Sequence, residues 1–134
     1  MARFRPLLVA LLLVVAGCGG GDGGDSAEPA QSRFAAAAQT AVQSVGDRGV
    51  IVLDVRSDEE VADGRAKDAV PFPLTDLERG LLPDIPKDAR VFVYCRTGRR
   101  SGIAADILRR NGFADVTNIG GLTDWRDAGG QVVS

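Results

Sequence analysis

Two kinds of apolar pattern alternate along most of the chain. Runs rich in β-branched and aromatic residues at 50–55 and 90–94 are typical of strands covered on both faces. Shorter strand patterns lie at 69–73 and 116–119, and Val132 and Val133 are candidates for an edge strand. Helical spacing and capping signals predict helices over residues 31–45, 58–62, 75–80, 101–110 and 122–125. This order predicts an α/β sandwich of three layers, in which helices flank a mainly parallel sheet of roughly five strands.

A short loop joins the second strong strand to the longest predicted helix. It runs from Cys95 to Ser101 and reads CRTGRRS, so one cysteine is followed by a glycine and three arginines. Sites in parallel sheets lie beyond the carboxyl ends of the strands, which is where Cys95 falls. We therefore expect Cys95 to be a reactive thiol rather than an inert core residue.

Several features of this loop should lower the pKa of Cys95. The following helix directs its N-terminus at the loop, and a tight turn points further N–H groups inward as an anion-binding nest. Gly98 can adopt the positive φ that such a turn needs, and Ser101 is a candidate helix cap. Fixed positive charge comes from Arg96, Arg99 and Arg100. This setting favours a soft anionic substrate, such as a sulfur-containing oxyanion or a persulfide.

Composition narrows the chemistry further. The chain contains no histidine, which excludes a histidine base and a zinc–imidazole site. The thiol of Cys95 must therefore be ionised by its surroundings before it reacts. A net charge of −2 over 134 residues gives no basic field for nucleic acid. We expect one domain and a monomer, with no cofactor and no metal.

The first residues predict export. Arg3 and Arg5 precede an apolar run at 7–16 that is too short to span a bilayer, and the sequence VAGC ends at Cys18. This ending resembles a bacterial lipobox, in which the cysteine becomes a lipidated N-terminus; the alternative is an ordinary signal peptide cleaved near Ala16. We expect a signal peptide over 1–17, a flexible tether over 18–31 and the domain over 32–134. The protein would then be exported to the cell envelope and held on the membrane by lipid at Cys18, without an intramolecular disulfide.

Three segments resemble the single-domain rhodaneses, which are thiosulfate sulfurtransferases. Residues 91–101, VFVYCRTGRRS, resemble the active-site loop of that family. Residues 53–61 are similar to its DVR…EEF segment, and residues 118–125 to its closing GG…W motif. The resemblance covers about residues 50–133, and its strength lies in the order and spacing of the segments together.

One segment departs from the family pattern. Residues 64–73 have the length of the family's GHIPGAINIP segment, but the usual histidine is Arg65 and the usual asparagine is Pro71. Because we expect a loop there, these departures should affect local structure or specificity more than the fold.

The resemblance implies a rhodanese-like fold and a two-step transfer of sulfur. Cys95 would attack the outer sulfur of thiosulfate and release sulfite, and the Cys95 persulfide would pass its sulfur to cyanide or to an unidentified thiol. The loop residues implied to bind the substrate are Arg96, Thr97, Gly98, Arg99, Arg100 and Ser101. Arg99 and Arg100 are the candidates for holding the sulfonate, whereas Arg96 could point outward. Asp54 and Arg56, at the end of a neighbouring strand, are expected to brace the site as an ion pair, with Glu60 as a further member.

Three other functions stay open. Tyrosine-phosphatase loops follow the pattern C-x5-R, but the arginine position counted from Cys95 is Ser101, and Arg100 comes one residue early. An arsenate reductase is disfavoured by the same count and by the missing partner cysteine. A sulfur carrier or a protein-binding module on the same scaffold would have an identical sequence pattern.

Overall fold

A computed structural model describes residues 32–134, so the predicted signal peptide, the tether and Cys18 lie outside the described residues. In chain order the elements are α1 (Ser32–Ser44), β1 (Val50–Asp54), α2 (Asp58–Ala62), β2 (Arg65–Ala66), β3 (Val70–Pro71), α3 (Leu74–Glu78), β4 (Arg90–Cys95), α4 (Arg99–Arg110), β5 (Asp115–Gly121), α5 (Leu122–Asp127) and β6 (Val132–Val133).

The main sheet is parallel, with the strand order β3-β1-β4-β5. The predicted α/β sandwich with a mainly parallel sheet is therefore confirmed. Within residues 32–134 this sheet has four strands rather than about five, because β6 does not join it. Instead β6 pairs antiparallel with β2 in a separate two-stranded sheet.

The strand β4 is apolar throughout because it packs on both faces. Val91, Val93 and Cys95 point into a core cluster shared with α3 and α4. Phe92 and Tyr94 point into a second cluster shared with α1 and α5. Each fully buried apolar side chain of this size contributes about 1.5–3 kcal/mol, so the two clusters fix β4 and the residue at its end.

Two local predictions are wrong. Ser101 is not a helix cap, because α4 begins at Arg99 and its N-cap is Gly98, with φ of 93°. A residue with a Cβ would be strained at this φ, so glycine suits the N-cap, and the helix begins two residues before the expected start at 101. Arg65 lies in β2 rather than in a loop, since this strand is only two residues long and carries too little pattern to predict. Pro71 lies in β3, within the strand pattern at 69–73. Among residues 32–134, none of the helices combines the length and apolarity needed to cross a membrane.

Candidate active site

Cys95 is the last residue of β4 and is completely buried. Its strand lies between β1 and β5, and the pairing with β5 shifts register between Val93 and Cys95, where Cys95 comes opposite Gly121. The chain then turns through Arg96, Thr97 and Gly98 into α4. The sulfur therefore lies inside the turn, between the end of a rigid strand and the first turn of a helix.

Hydrogen-bond donors surround the sulfur atom. The backbone N–H of Gly98 donates to Sγ at 3.0 Å, and the hydroxyl oxygen of Ser101 is 3.4 Å from it. Burial raises the pKa of Cys95, but the Ser101 hydroxyl and the backbone amides of Ser101, Thr97 and Gly98 outweigh it, so the pKa lies below its ordinary value. The site thus stabilises a thiolate without an adjacent base.

The side chain of Asn118 on β5 links this turn to β5 through hydrogen bonds. Its side-chain amide donates to the carbonyl of Gly98 at 2.9 Å. Its oxygen accepts from the Ser101 hydroxyl at 2.7 Å and from the N–H of Gly120 at 3.0 Å. The Ser101 hydroxyl has one proton, so Asn118, the sulfur of Cys95 and the carbonyl of Gly120 compete for it.

The three arginines of the loop have different environments. Arg99 is exposed at the start of α4. Arg100 forms an ion pair with Glu60 on α2, with N–O distances of 2.9 and 3.1 Å. Arg96 is exposed and lines a pocket of about 330 Å³, together with Arg56, Glu60, Asp63, Leu122, Thr123 and Arg126. Of the two arginines expected to hold a sulfonate, Arg100 is therefore already paired with a carboxylate.

Behind the loop, Asp54 and Arg56 form the expected ion pair, and it is buried. The guanidinium of Arg56 donates to both carboxylate oxygens of Asp54, at 2.9 and 2.6 Å, and to the carbonyl of Gly64 at 2.6 Å. Hydrogen bonding to Asp54 raises the pKa of Arg56 further above its ordinary value, against the effect of burial. Glu60 is not a member of this pair, because its carboxylate reaches across to Arg100 instead.

Tyr94 links the pair to two further strands, β4 and β2. Its hydroxyl donates to Asp54 at 2.5 Å and accepts from the backbone N–H of Ala66 at 2.9 Å. Burial and the bond to Asp54 raise the pKa of Tyr94 well above its ordinary range. The Asp54–Arg56–Tyr94 network thus ties together β1, β4 and β2, one residue before Cys95 along β4.

Sequence reasoning missed three residues that contact the loop or support it. Tyr94 and Asn118 stood in segments used for the family resemblance, but their spacing carried no sign of a hydrogen bond to a distant residue. Phe34 lies in α1, some sixty positions before the cysteine, and no local pattern connects it to the loop. Within the described part of the chain there is no cluster of acidic, histidine or cysteine side chains that could hold a metal.

The fold and the site define an α/β domain with a buried cysteine at the end of a parallel strand and a backbone amide directed at its sulfur. Residues 37–128 match the rhodanese-like domain family, and the chain belongs to that family. It is 36% identical over 86 residues to a sulfurtransferase of Allochromatium vinosum, a match that covers 63% of this chain and 79% of that protein. It is also 37% identical over 73 residues to the thiosulfate sulfurtransferase PspE of Escherichia coli, covering 54% and 70% of the two chains. The crystal structure of the Alr3790 protein from Anabaena sp. matches with a TM-score of 0.64 and 27% identity, over 74% of this chain and 78% of that one.

Proposed function

We propose that this protein transfers a sulfane sulfur through a persulfide on Cys95, with thiosulfate as a donor. The observation that carries the proposal is the set of donors around Sγ, namely the N–H of Gly98 at 3.0 Å and the Ser101 hydroxyl at 3.4 Å. These donors favour a thiolate in a chain that has no histidine to act as a base. The sulfurtransferase relatives support the same chemistry.

The reaction proceeds in two balanced steps. In the first, the thiolate of Cys95 attacks the outer sulfur of thiosulfate, the S–S bond of thiosulfate breaks, and sulfite leaves with the bonding electron pair. The products are a Cys95 persulfide anion and sulfite. In the second, cyanide or a thiolate attacks the outer sulfur of the persulfide, and the thiolate of Cys95 is regenerated. The backbone amides of the turn remain directed at negatively charged sulfur throughout both steps.

The pocket beside Arg96 is our candidate for the approach of the anion. Arg56 and Glu60 in its lining are paired with Asp54 and Arg100. Arg96 and Arg126 are then opposed by Asp63 alone among the charged groups of the lining, which leaves positive charge next to the loop. We assign the first contact with the sulfonate to Arg96, with Arg99 and Arg100 as later contacts.

The test is sulfur transfer from thiosulfate to cyanide by the purified protein. We expect thiocyanate from the wild type and from Cys18→Ser, which keeps the second cysteine, and none from Cys95→Ser. A single-turnover experiment with thiosulfate alone should release one sulfite and add one sulfur to Cys95, visible by mass spectrometry. Thiocyanate formation by Cys95→Ser would overturn the proposal. Loading of Cys95 without transfer to cyanide would favour a carrier instead, and release of phosphate from an aryl phosphate without sulfur transfer would favour a phosphatase.

We further propose that the protein is held at the cell envelope by lipid on Cys18. The support is the order of residues before it: two arginines, an apolar run and the small residues Ala16 and Gly17. The thiol of Cys95 would then work outside the cytoplasm.

A further inference from the structure

A phenylalanine from the first helix contacts the back of the cysteine loop. A Cβ atom placed on Gly98 would lie 2.8 Å from Cζ of Phe34, and one placed on Gly120 would lie 2.7 Å from Cδ2 of the same ring. Distances below 3 Å mean that the ring already occupies the space a side chain would need. The ring of Phe34 is therefore packed directly on the backbone of both glycines, and a Cβ on Gly98 would also be 3.2 Å from Cα of Gly120.

The backbone groups of these two glycines belong to the hydrogen-bond network around the sulfur of Cys95. Gly98 donates its N–H to Sγ of Cys95, and its carbonyl accepts from Asn118. Gly120 donates its N–H to Asn118, and its carbonyl is 3.4 Å from the Ser101 hydroxyl. Both have positive φ, 93° and 89°, in a region that glycine enters and leaves easily. Their conformation is held by these hydrogen bonds and by the side chains packed against them, which are Phe34 at both glycines and also Asp124 at Gly120.

Helix α1 holds Phe34 against these glycines. Ala38 and Ala41 on this helix are fully buried in the core cluster with Phe92 and Trp125, and Val42 packs at the edge of the same cluster. Phe34 projects from the N-terminal end of this anchored helix and is itself half-buried. The segment that matches the rhodanese-like domain family begins at residue 37, so Phe34 lies just before the matched region.

We propose that Phe34 is a positioning residue for Cys95: its ring fixes the backbone of Gly98 and Gly120 and so keeps the Gly98 N–H directed at Sγ. This inference rests on the proposed function for its catalytic consequence. Removing the ring would leave a space behind the loop, and the donors would then be free to move away from the sulfur. The thiolate would lose stabilisation although no group in contact with substrate had been changed.

The experiment compares Phe34→Ala with Val42→Ala in the full-length protein. Val42→Ala removes a half-buried apolar side chain from the same helix but does not touch the loop, so it controls for loosening of α1. The rate of alkylation of Cys95 by iodoacetamide is measured against pH, in variants with Cys18 replaced by serine so that one thiol reacts. We expect Phe34→Ala to move the midpoint to higher pH by at least about half a unit, which is about a threefold loss of thiolate below the midpoint. Val42→Ala should keep the wild-type midpoint.

Alkylation requires no sulfur transfer, so the two proposals can fail separately. A shifted midpoint with no thiocyanate from the wild type would reject the proposed function and keep the positioning role. A wild-type midpoint in folded Phe34→Ala would reject the positioning role whatever the transfer activity. If Phe34→Ala does not fold, Phe34→Leu fills only part of the space, and we expect a smaller shift in the same direction. An unshifted midpoint in that variant would likewise overturn the inference.

Discussion

The reactivity of Cys95 depends on a balance between burial and donated hydrogen bonds. A completely buried thiol in apolar surroundings would resist ionisation, and Cys95 is packed in a core cluster on one side. On the other side the turn presents the N–H of Gly98 and the hydroxyl of Ser101. Because the donors act on the charged form, the thiolate should be sensitive to the loss of any one of them.

Ser101→Ala should raise the pKa of Cys95. The Ser101 hydroxyl lies 3.4 Å from the sulfur and lowers this pKa, and alanine removes this donor. Since a higher pKa means less thiolate below it, alkylation should be slower than in the wild type at neutral and acidic pH and should converge with it at alkaline pH. The control is Ser57→Ala, which removes a hydroxyl that caps α2 and lies away from the sulfur. Equal pH profiles for wild type and Ser101→Ala would show that the Ser101 hydroxyl does not stabilise the thiolate of Cys95.

Glu60→Gln should improve the binding of an anionic donor. The carboxylate of Glu60 neutralises Arg100 and also lines the pocket next to Arg96. An ion pair with side chains about one-third exposed is worth about 0.2–1 kcal/mol, so we expect the KM for thiosulfate to fall by at most about fivefold. The effect should weaken as salt is added, because salt screens exposed charges.

The matched control for this variant is Glu59→Gln. Glu59 is the neighbouring residue on α2, is exposed, and undergoes the same loss of charge. An equal fall in KM for both variants would show a general effect of net charge. A rise in KM for Glu60→Gln would contradict this prediction and show that the ion pair with Glu60 positions Arg100 for binding the substrate.

At the scale of elements, the strands that carry the site can be predicted from the sequence. The hydrogen bonds between residues far apart in the chain cannot. The runs in β1 and β4 predict buried parallel strands because both faces of each strand are covered. Cys95 at the end of β4 and the positive φ of Gly98 follow from the loop itself, and the structure agrees. Ser101 looked like a helix cap because serine is favoured there, but its hydroxyl serves Asn118 and Cys95, seventeen residues ahead and six behind. Partners this far apart leave no trace in local spacing.

The same limit applies to the charged residues. Ser57 and Glu60 have the spacing of a capping box, and Ser57 does accept from the N–H of Glu60 at 3.3 Å. The carboxylate of Glu60, however, does not complete the capping box and instead forms an ion pair with Arg100, forty residues away. The short β2 gives no detectable pattern, so the bond between Ala66 and Tyr94 could not be foreseen either.

Tyr94→Phe tests the network that joins β1, β4 and β2. Removing the hydroxyl leaves the buried N–H of Ala66 without its partner and takes a donor from Asp54, which should cost about 1–3 kcal/mol in the free energy of unfolding. Urea denaturation at neutral pH measures this difference. A loss below the error of the measurement would show that the network is not a structural brace.

The same tyrosine gives a prediction for pH. Its pKa in the folded protein is raised, first by burial and then by Asp54, so above the ordinary tyrosine pKa of about 10 the unfolded chain loses this proton and the folded chain keeps it. The contribution is therefore complete below about pH 10 and is lost progressively above it. The difference in stability between wild type and Tyr94→Phe should shrink as pH rises past this value. Because Tyr94 is the one tyrosine of the chain, its ionisation can also be followed by ultraviolet absorbance, and a titration at the ordinary pKa in the folded protein would contradict the prediction.

For the whole molecule, the two cysteines have separate proposed roles. Cys95 belongs to the folded domain, and Cys18 lies in the segment before the described residues. Lipid on Cys18 would leave Cys95 as the single thiol of the protein, so an internal disulfide could not form even in an oxidising compartment. Burial of Cys95 beneath its loop would then be its main protection from oxidants that are larger than its substrate.

Replacing each cysteine by serine in turn tests whether the two cysteines have separate roles. Cys18→Ser removes the thiol to which the lipid would be attached. The protein should then move from the membrane fraction to the soluble fraction of the cell envelope and should keep its sulfur transfer. Cys95→Ser should stay with the membrane and lose its sulfur transfer, which makes each variant the control for the other. Fractionation followed by mass spectrometry of the N-terminus checks both, because a diacylglyceryl group on Cys18 adds a defined mass. Membrane attachment of Cys18→Ser would contradict lipidation, since the apolar run at 7–16 would then have to remain as the anchor although it is shorter than the roughly 20 residues a spanning helix needs.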